Sequence, residues 1–124
     1  MVDITGRVAE IIAEAKVKNG LATVFVSGST ASVTTIEFEP GLRQDIPEIL
    51  DKLVPQNKVY HHDDTWGDGN GYAHLCSALI GTSFSVPIED SQMTLGTWQQ
   101  IVVIDHDNRA RTRDIVVQVM GEVK

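Results

Sequence analysis

Residues 21–38 read LATVFVSGSTASVTTIEF and decide the architecture of this chain. Leu21–Ser27 is short and rich in β-branched and aromatic side chains, and Ser32–Phe38 repeats that character after the small-residue break Gly28-Ser29-Thr30. This pattern predicts two β-strands joined by a polar turn. We therefore expect this strand pair to form the centre of the predicted β-structure.

Two helices are expected around the strand pair. Asp45 and Glu48 resemble a capping box that opens one helix through Leu53, with Pro47 in its first turn. The other helix precedes the strands and ends before Gly20, because apolar residues recur there at helical spacing: Val8, Ile11, Ile12 and Ala15.

A third helix and three strands complete the second half. Asn70 is placed to cap a helix that runs to about residue 80, where Gly81 stops it. On this helix His74 is expected to face a cavity or a partner, whereas the opposite side should meet a sheet through Tyr72, Leu75, Cys76 and Leu79. Alternating apolar runs predict strands over residues 83–88, 98–106 and 111–119.

Length and charge limit the classes of function. A chain of 124 residues fits one domain, taken as residues 1–124. A formal charge of -7 disfavours nucleic-acid binding, and no apolar run exceeds four residues, so no helical membrane span is expected. A signal peptide is not expected at the start either. Cys76 is the single cysteine, so no internal disulfide can form, which favours a cytoplasmic protein; its side chain is expected to be a buried hydrophobe.

The segment from His61 to His74 carries the residues with most chemistry. It contains three of the four histidines, three aspartates, Trp66 and the run Gly67 to Gly71. Imidazole and carboxylate groups together suit zinc and other divalent cations, and glycines allow the backbone to approach a bound group closely. Either a metal site or a solvated acidic loop with scattered histidines fits this composition.

Two arginines form a second candidate site. Arg111 and Arg113 share the parity of Ile115 and are predicted to lie on one face of the last strand. Paired guanidinium groups match phosphate or carboxylate geometry, so they predict an anion clamp. Pairing with nearby acids such as Asp105 and Asp114 is the open alternative.

Several motifs, taken in order, make the chain similar to the YjbQ-like family, often labelled secondary thiamine-phosphate synthase. They are Gly20–Val26 with Ser29-Thr30-Ala31, Glu37, Asp45, His62-Asp63, Asn70, Ala73-His74-Leu75, 79–83, Val86-Pro87, 95–99, 111–113 and 119–122. The resemblance implies an α+β fold, a sandwich of mixed, largely antiparallel sheets with helices packed outside. It also implies a homotrimer with polar clefts near the subunit interfaces.

Two positions depart from the family pattern. Gly28 stands where the family usually has a histidine, and the strand that normally precedes the opening helix is missing. The first departure removes one imidazole from a three-histidine site. The second leaves a shorter sheet edge that another subunit would have to cover.

The resemblance also assigns roles to the matched positions. His62 and His74 become the metal ligands with Asp63 as a third ligand or as a group that orients an imidazole, and the cation is zinc or magnesium. Arg111 and Arg113, with Ser29 and Thr30, would hold a phosphate or diphosphate, while Glu37 is a base or a solvated carboxylate. Trp98 would stack on a ring of the substrate unless it is a core residue, and Gln99 would form a hydrogen bond with that ring. Asn70 is expected to be a helix cap. No role is assigned to His61 and His106, which are expected to lie on the surface.

Three functions follow from these assignments. The first is a metal-assisted enzyme that acts on phosphorylated metabolites and joins a pyrimidine-methyl diphosphate to a thiazole phosphate, releasing pyrophosphate. The second is a metal-dependent hydrolase of a small phosphate ester, which needs the same groups and a water molecule. The third is a non-catalytic trimer that binds a metabolite or a metal.

Overall fold

Seven strands and four helices make up the fold, which a computed structural model describes over residues 1–123. In chain order they are β1 (Val2–Asp3), α1 (Thr5–Ala15), β2 (Val17–Ser27), β3 (Ala31–Ile36), α2 (Pro40–Leu53), α3 (His61–Trp66), α4 (Gly71–Ile80), β4 (Ser83–Glu89), β5 (Gln92–Met93), β6 (Gln100–Asp105) and β7 (Asp114–Val123).

The strands form two sheets. Sheet A has the order β1-β6-β3, and sheet B has the order β5-β4-β2-β7. The α+β prediction is confirmed, but every strand pairing within residues 1–123 is antiparallel, so the expectation of mixed sheets is wrong. Antiparallel pairing needs only short connections, which suits a chain of this length.

The core lies between the two sheets. Residues of one parity along β2, namely Ala22, Val24 and Val26, are completely buried, while the alternate residues face outward. Val33 and Ile101 from sheet A and Val8 and Ile12 from α1 join the same apolar cluster. Its burial is the main stabilising contribution and fixes the register of each strand.

Helix α1 and strand β2 meet earlier than predicted. The helix ends at Ala15 because Lys16 takes a left-handed conformation, with φ of 55°. Gly20, expected as the helix stop, instead lies inside β2 opposite Gly121. A Cβ at residue 20 would collide with the backbone carbonyl of Met120, so glycine is required by close approach of two strands.

Helix α2 begins five residues before the predicted cap. Glu39 is its N-cap, and its carboxylate accepts hydrogen bonds from the backbone N–H groups of Gly41 and Leu42. The capping box at Asp45 is therefore wrong, and Pro47 lies inside the helix rather than in its first turn. No residue of α2 is buried.

Other boundaries also change. A short helix, α3, occupies part of the segment read as a loop, and Val2–Asp3 forms a two-residue strand against β6 where a strand was expected to be missing. Strand β7 starts at Asp114, so Arg111 and Arg113 precede it and are not on its face. None of the helices formed by residues 1–123 has the length and apolarity needed to cross a bilayer.

Candidate functional site

A polar cavity of about 470 Å³ opens where β6 ends. It lies between the β2–β3 turn, the α3–α4 segment and the residues that precede β7. Seven of the ten predicted site residues belong to this end of the molecule: Ser29, Thr30, His62, Asp63, His74, Arg111 and Arg113. All but Asp63 line the cavity itself.

The two predicted metal ligands lie side by side. The ring centroids of His62 and His74 are 4.2 Å apart, and the ring planes are tilted by 42°. Burial, followed by the nearby His62, lowers the pKa of His74, which favours the neutral imidazole. The Nδ1 atom of His62 is buried and has no hydrogen-bond partner among residues 1–123.

Asp63 holds the backbone that carries these histidines. Its Oδ2 atom accepts the N–H of Tyr60, and its Oδ1 atom accepts the N–H of Gly71, both at 2.9 Å. These two hydrogen bonds lower the pKa of Asp63. They also join the start of α3 to the start of α4, which brings His62 and His74 together. Its Oδ1 atom stays 4.0 Å from Nδ1 of His62, too far for a hydrogen bond.

Asp107 is a functional candidate that the sequence did not reveal. Its side chain is fully buried and accepts hydrogen bonds from Thr30 at 2.9 Å, Arg111 Nε at 2.8 Å and Asn70 Nδ2 at 3.4 Å. Burial raises the pKa of Asp107, but these bonds and the N–H of Asn108 outweigh that effect and lower it to about 2. The ionised carboxylate thus positions three residues of the cavity wall.

Arg113 reaches the cavity across the β2–β3 turn. Its Nε and Nη2 atoms donate to both oxygens of Asp105, and Nη2 also donates to the hydroxyl of Thr30 at 2.6 Å. Its Nη1 atom lies only 2.7 Å from the position that a Cβ would take on Gly28. The absence of a side chain at residue 28 therefore makes room for this guanidinium group.

Both arginines are paired with acids, as the open alternative held, although the partners are Asp105 and Asp107 rather than Asp114. The ion pair of Arg113 with Asp105 lowers the pKa of that carboxyl and raises that of the guanidinium group. The guanidinium groups line the cavity, but their charge is largely balanced, so an anion gains less from them than from unpaired arginines.

Glu37, Trp98 and Gln99 lie at the opposite end of sheet A. Pairing of β3 with β6 joins Ala31 to Asp105 at one end and Ile36 to Gln100 at the other. At about 3.3 Å per residue the two ends are roughly 17 Å apart. Within one chain these three residues are therefore not part of the cavity. Trp98 is 69% exposed, so its placement in the core is wrong.

The other two histidines of the chain differ in burial. His61 is exposed, as expected, but His106 is half-buried and its Nε2 atom lies 2.9 Å from the hydroxyl of fully buried Ser32. Burial lowers the pKa of His106.

Helix α4 buries Tyr72, Cys76, Ala73 and Ser77, whereas Leu75 and Leu79 are exposed, contrary to prediction.

A family model described as UPF0047 protein YjbQ-like matches residues 1–122. The chain belongs to this family. A UPF0047 protein of Archaeoglobus fulgidus is 38% identical over 97% of this chain and 90% of its own length. Another, from Methanocaldococcus jannaschii, is 37% identical over 98% of this chain and 86% of its own length.

Solved structures of similar proteins have the same fold. A YbjQ-like protein of unknown function from Sulfolobus solfataricus superposes with a TM-score of 0.92 at 31% identity, covering 98% of this chain and 86% of that one. A hypothetical protein from Aeropyrum pernix has a TM-score of 0.90 at 35% identity, with coverage of 98% and 88%.

The residues of this UPF0047 chain fit a divalent cation in part. No group of three or more His, Cys, Asp or Glu side chains within residues 1–123 is arranged to hold a metal ion. Two imidazoles are adjacent, however, and the buried Nδ1 atom of His62 has no partner. Two histidines with a further oxygen ligand would be the minimum set for such a cation.

Proposed function

We propose that this protein is a small metal-assisted enzyme that acts on phosphorylated metabolites at the cavity beside Asp107. One observation carries the proposal: a pair of adjacent imidazoles, one with an unpartnered buried nitrogen, lines the same cavity as two guanidinium groups. Imidazole nitrogens bind metal cations and guanidinium groups bind phosphates. The cavity therefore has side chains for both the cation and the phosphate of a metal–phosphate complex.

The proposed roles follow from the contacts of each side chain. His62 and His74 would hold zinc or magnesium, and the bound cation would stabilise negative charge on a phosphate oxygen. Arg113 offers its Nη1 atom to the phosphate while Asp105 and Thr30 fix the rest of its guanidinium group. Arg111, held by Asp107, binds the same group, and the Ser29 hydroxyl lies at the cavity wall.

The reaction we propose joins a pyrimidine-methyl diphosphate to a thiazole phosphate, as the family label suggests. Pyrophosphate leaves in that reaction, and its developing charge is the charge that arginines and a cation stabilise. Glu37, Trp98 and Gln99 would contribute a base, a stacking surface and an amide only if another copy of the chain brought them to the cavity.

The test compares Arg113→Ala with Arg7→Ala, a matched arginine on α1 that is paired with Glu10. Each protein is incubated with both substrates and magnesium or zinc, and products are separated by chromatography. Arg113→Ala should lower kcat/KM about tenfold or more, as expected for loss of a charged hydrogen bond. Phosphate release without joining would assign the hydrolase instead, and product formation unchanged by Arg113→Ala would reject the arginine site.

A non-catalytic binding protein is the second candidate. It is favoured by Gly28, which provides no third imidazole, and by the carboxylates that already neutralise both arginines. Inorganic phosphate or pyrophosphate at 100 times its Kd would stabilise the fold by about 2.7 kcal/mol. Such stabilisation in a thermal-shift assay, with no turnover of any tested phosphate ester, would favour this candidate.

A homotrimer is part of the proposal. The outward face of sheet B presents apolar side chains that pair across β2 and β7, Leu21 with Met120 and Phe25 with Val116, and Met120 is 63% exposed. Apolar surface of this kind is typical of contacts between subunits. Light scattering should give about three chain masses for the wild type and a smaller species for Phe25→Lys, with Thr34→Lys in sheet A as the control. A monomeric wild type would reject the trimer.

The proposed location is the cytoplasm, and neither nucleic acid nor membrane is a proposed partner. Cys76 is the only cysteine, and burial raises the pKa of its thiol, which keeps it protonated and unreactive. The charge of -7 opposes binding to a phosphate backbone.

A further inference from the structure

Asn70 occupies the N-cap position of α4 but does not act as a cap. Its side chain accepts no hydrogen bond from the first turn of the helix, contrary to the sequence prediction. The residue is nevertheless 3% exposed and lines the cavity beside the two histidines. A buried carboxamide in such a place requires another explanation, because burial of a polar group without a partner is costly.

The orientation of the carboxamide follows from Asp107. Nδ2 of Asn70 donates to Oδ1 of Asp107 at 3.4 Å, and both oxygens of that carboxylate already accept hydrogen bonds, from Thr30 and Arg111 and from the N–H of Asn108. The opposite orientation would place two acceptor oxygens against each other. The Oδ1 atom of Asn70 therefore faces away from Asp107, and it is buried with no partner among residues 1–123.

Two residues of the cavity wall thus each carry a buried polar atom with no partner among residues 1–123, Oδ1 of Asn70 and Nδ1 of His62. Asp63, the oxygen ligand expected from the sequence, is different because both of its oxygens already accept backbone N–H groups. Imidazole nitrogen and carboxamide oxygen are both ligands for divalent cations. The unpartnered atoms therefore favour Asn70 over Asp63 as the oxygen donor.

We propose that Asn70 is the third protein ligand of a divalent cation held by His62 and His74, and that this neutral ligand set makes cation binding depend on a phosphate anion. The inference rests on the proposed function and names the oxygen ligand of that site. Because none of the three ligands carries charge, the cation keeps its full charge for the anion. Asp107 is balanced by Arg111, and Asp68 is exposed at the cavity wall.

Cobalt(II) is a suitable probe, because its visible absorption reports inner ligands without any need for turnover. Titrations are carried out on wild type, His62→Ala, Asn70→Ala, Asn70→Asp and the control Asn57→Ala, an exposed asparagine in the α2–α3 connection. Each is repeated with inorganic phosphate and with chloride at equal ionic strength.

We expect Asn70→Ala to weaken cobalt binding about tenfold or more and Asn57→Ala to leave it unchanged. Phosphate should raise the cobalt affinity of the wild type at least fivefold, within the usual range of coupling between two sites, and cobalt should raise phosphate affinity equally. Asn70→Asp should bind cobalt more tightly in chloride and lose most of the dependence on phosphate, because its carboxylate supplies the missing negative charge.

Cobalt affinity of Asn70→Ala equal to that of Asn57→Ala, with binding lost in His62→Ala, would overturn the role of Asn70 and leave the proposed function standing. Absence of cobalt binding in the wild type, with and without phosphate, would overturn both. If Asn70→Ala does not fold, as judged by circular dichroism, Asn70→Asp decides: unchanged affinity and unchanged phosphate dependence would reject the inference.

Discussion

Both ends of sheet A carry polar side chains, but the two ends organise them differently. At the end beside Asp105, acids, arginines and a threonine are linked by hydrogen bonds of 2.6 to 3.1 Å around a buried carboxylate. At the other end Trp98 is largely exposed, and Gln99 makes local contacts with Gly96 and Thr35. Residue type alone therefore does not mark a site, whereas shared hydrogen bonds to one buried charge do.

Removal of that buried charge should have the largest effect. Asp107→Ala leaves Thr30, Asn70 and Arg111 without their common acceptor, and we expect it to lower the free energy of unfolding by about 3 kcal/mol. Urea denaturation measures the change, and Asp64→Ala, an exposed aspartate on α3, is the matched control. Equal stability of the two variants would show that Asp107 does not organise this end of the sheet.

Lowering the pH should remove the contribution of Asp107 to the free energy of unfolding. The pKa of Asp107 is lowered from 3.8 to about 2 in the folded protein, so its stabilising effect is complete above the unfolded value. That contribution, at most about 2 kcal/mol, is lost as the pH falls from about 4 to 2. Unfolding free energies measured across this range should fall less steeply for Asp107→Asn than for the wild type. Parallel curves would contradict the assignment.

A smaller effect is expected at the turn that contacts Arg113. A methyl group on Gly28 would meet the Nη1 atom of this arginine, which is the end of a flexible side chain and can move. Gly28→Ala should therefore change stability by less than about 1 kcal/mol but weaken binding of inorganic phosphate a few-fold. Calorimetry measures both, with Gly6→Ala on α1 as a control, since a Cβ there meets nothing within 4 Å. Unchanged phosphate affinity would separate Arg113 from anion binding.

The smallest effect is expected at the exposed end of the sheet. Trp98→Ser should change the free energy of unfolding by less than about 0.5 kcal/mol, because the side chain is 69% exposed. A thermal melt at low and high protein concentration checks this. A large loss of stability that appears only at high protein concentration would show that Trp98 is buried between subunits. Both ends of sheet A would then contain buried side chains in the assembled protein.

The sequence predicted the parts of the fold that depend on local pattern. Alternation in Leu21–Ser27 and the helical spacing around Val8 and Ile12 led to correct elements, because each buries one face in the same core. Helix α3 was missed because residues 61–66 have no apolar periodicity and are held by the carboxylate of Asp63.

The site was predictable only where a residue carries its own chemistry. The imidazoles of His62 and His74 could be found from the sequence, and their adjacency is observed. Asp107 could not be identified, because an aspartate in a polar turn has no local sign of burial; its partners Thr30 and Asn70 are distant in the chain. The alternation of Asp105 and Asp107 directly after an apolar strand was the only available signal.

Helix α2 contributes little to the apolar core, since none of its fourteen residues is buried. Its start is fixed by the carboxylate of Glu39, and near its end the half-buried Leu50 packs against the small cluster that contains Tyr72 and Cys76. Opening of this helix would expose less apolar surface than opening of either sheet, so its free energy of local unfolding should be lower than that of the sheets. Amide hydrogens of α2 should therefore exchange faster than those of β2, because the helix can open locally while both sheets stay folded.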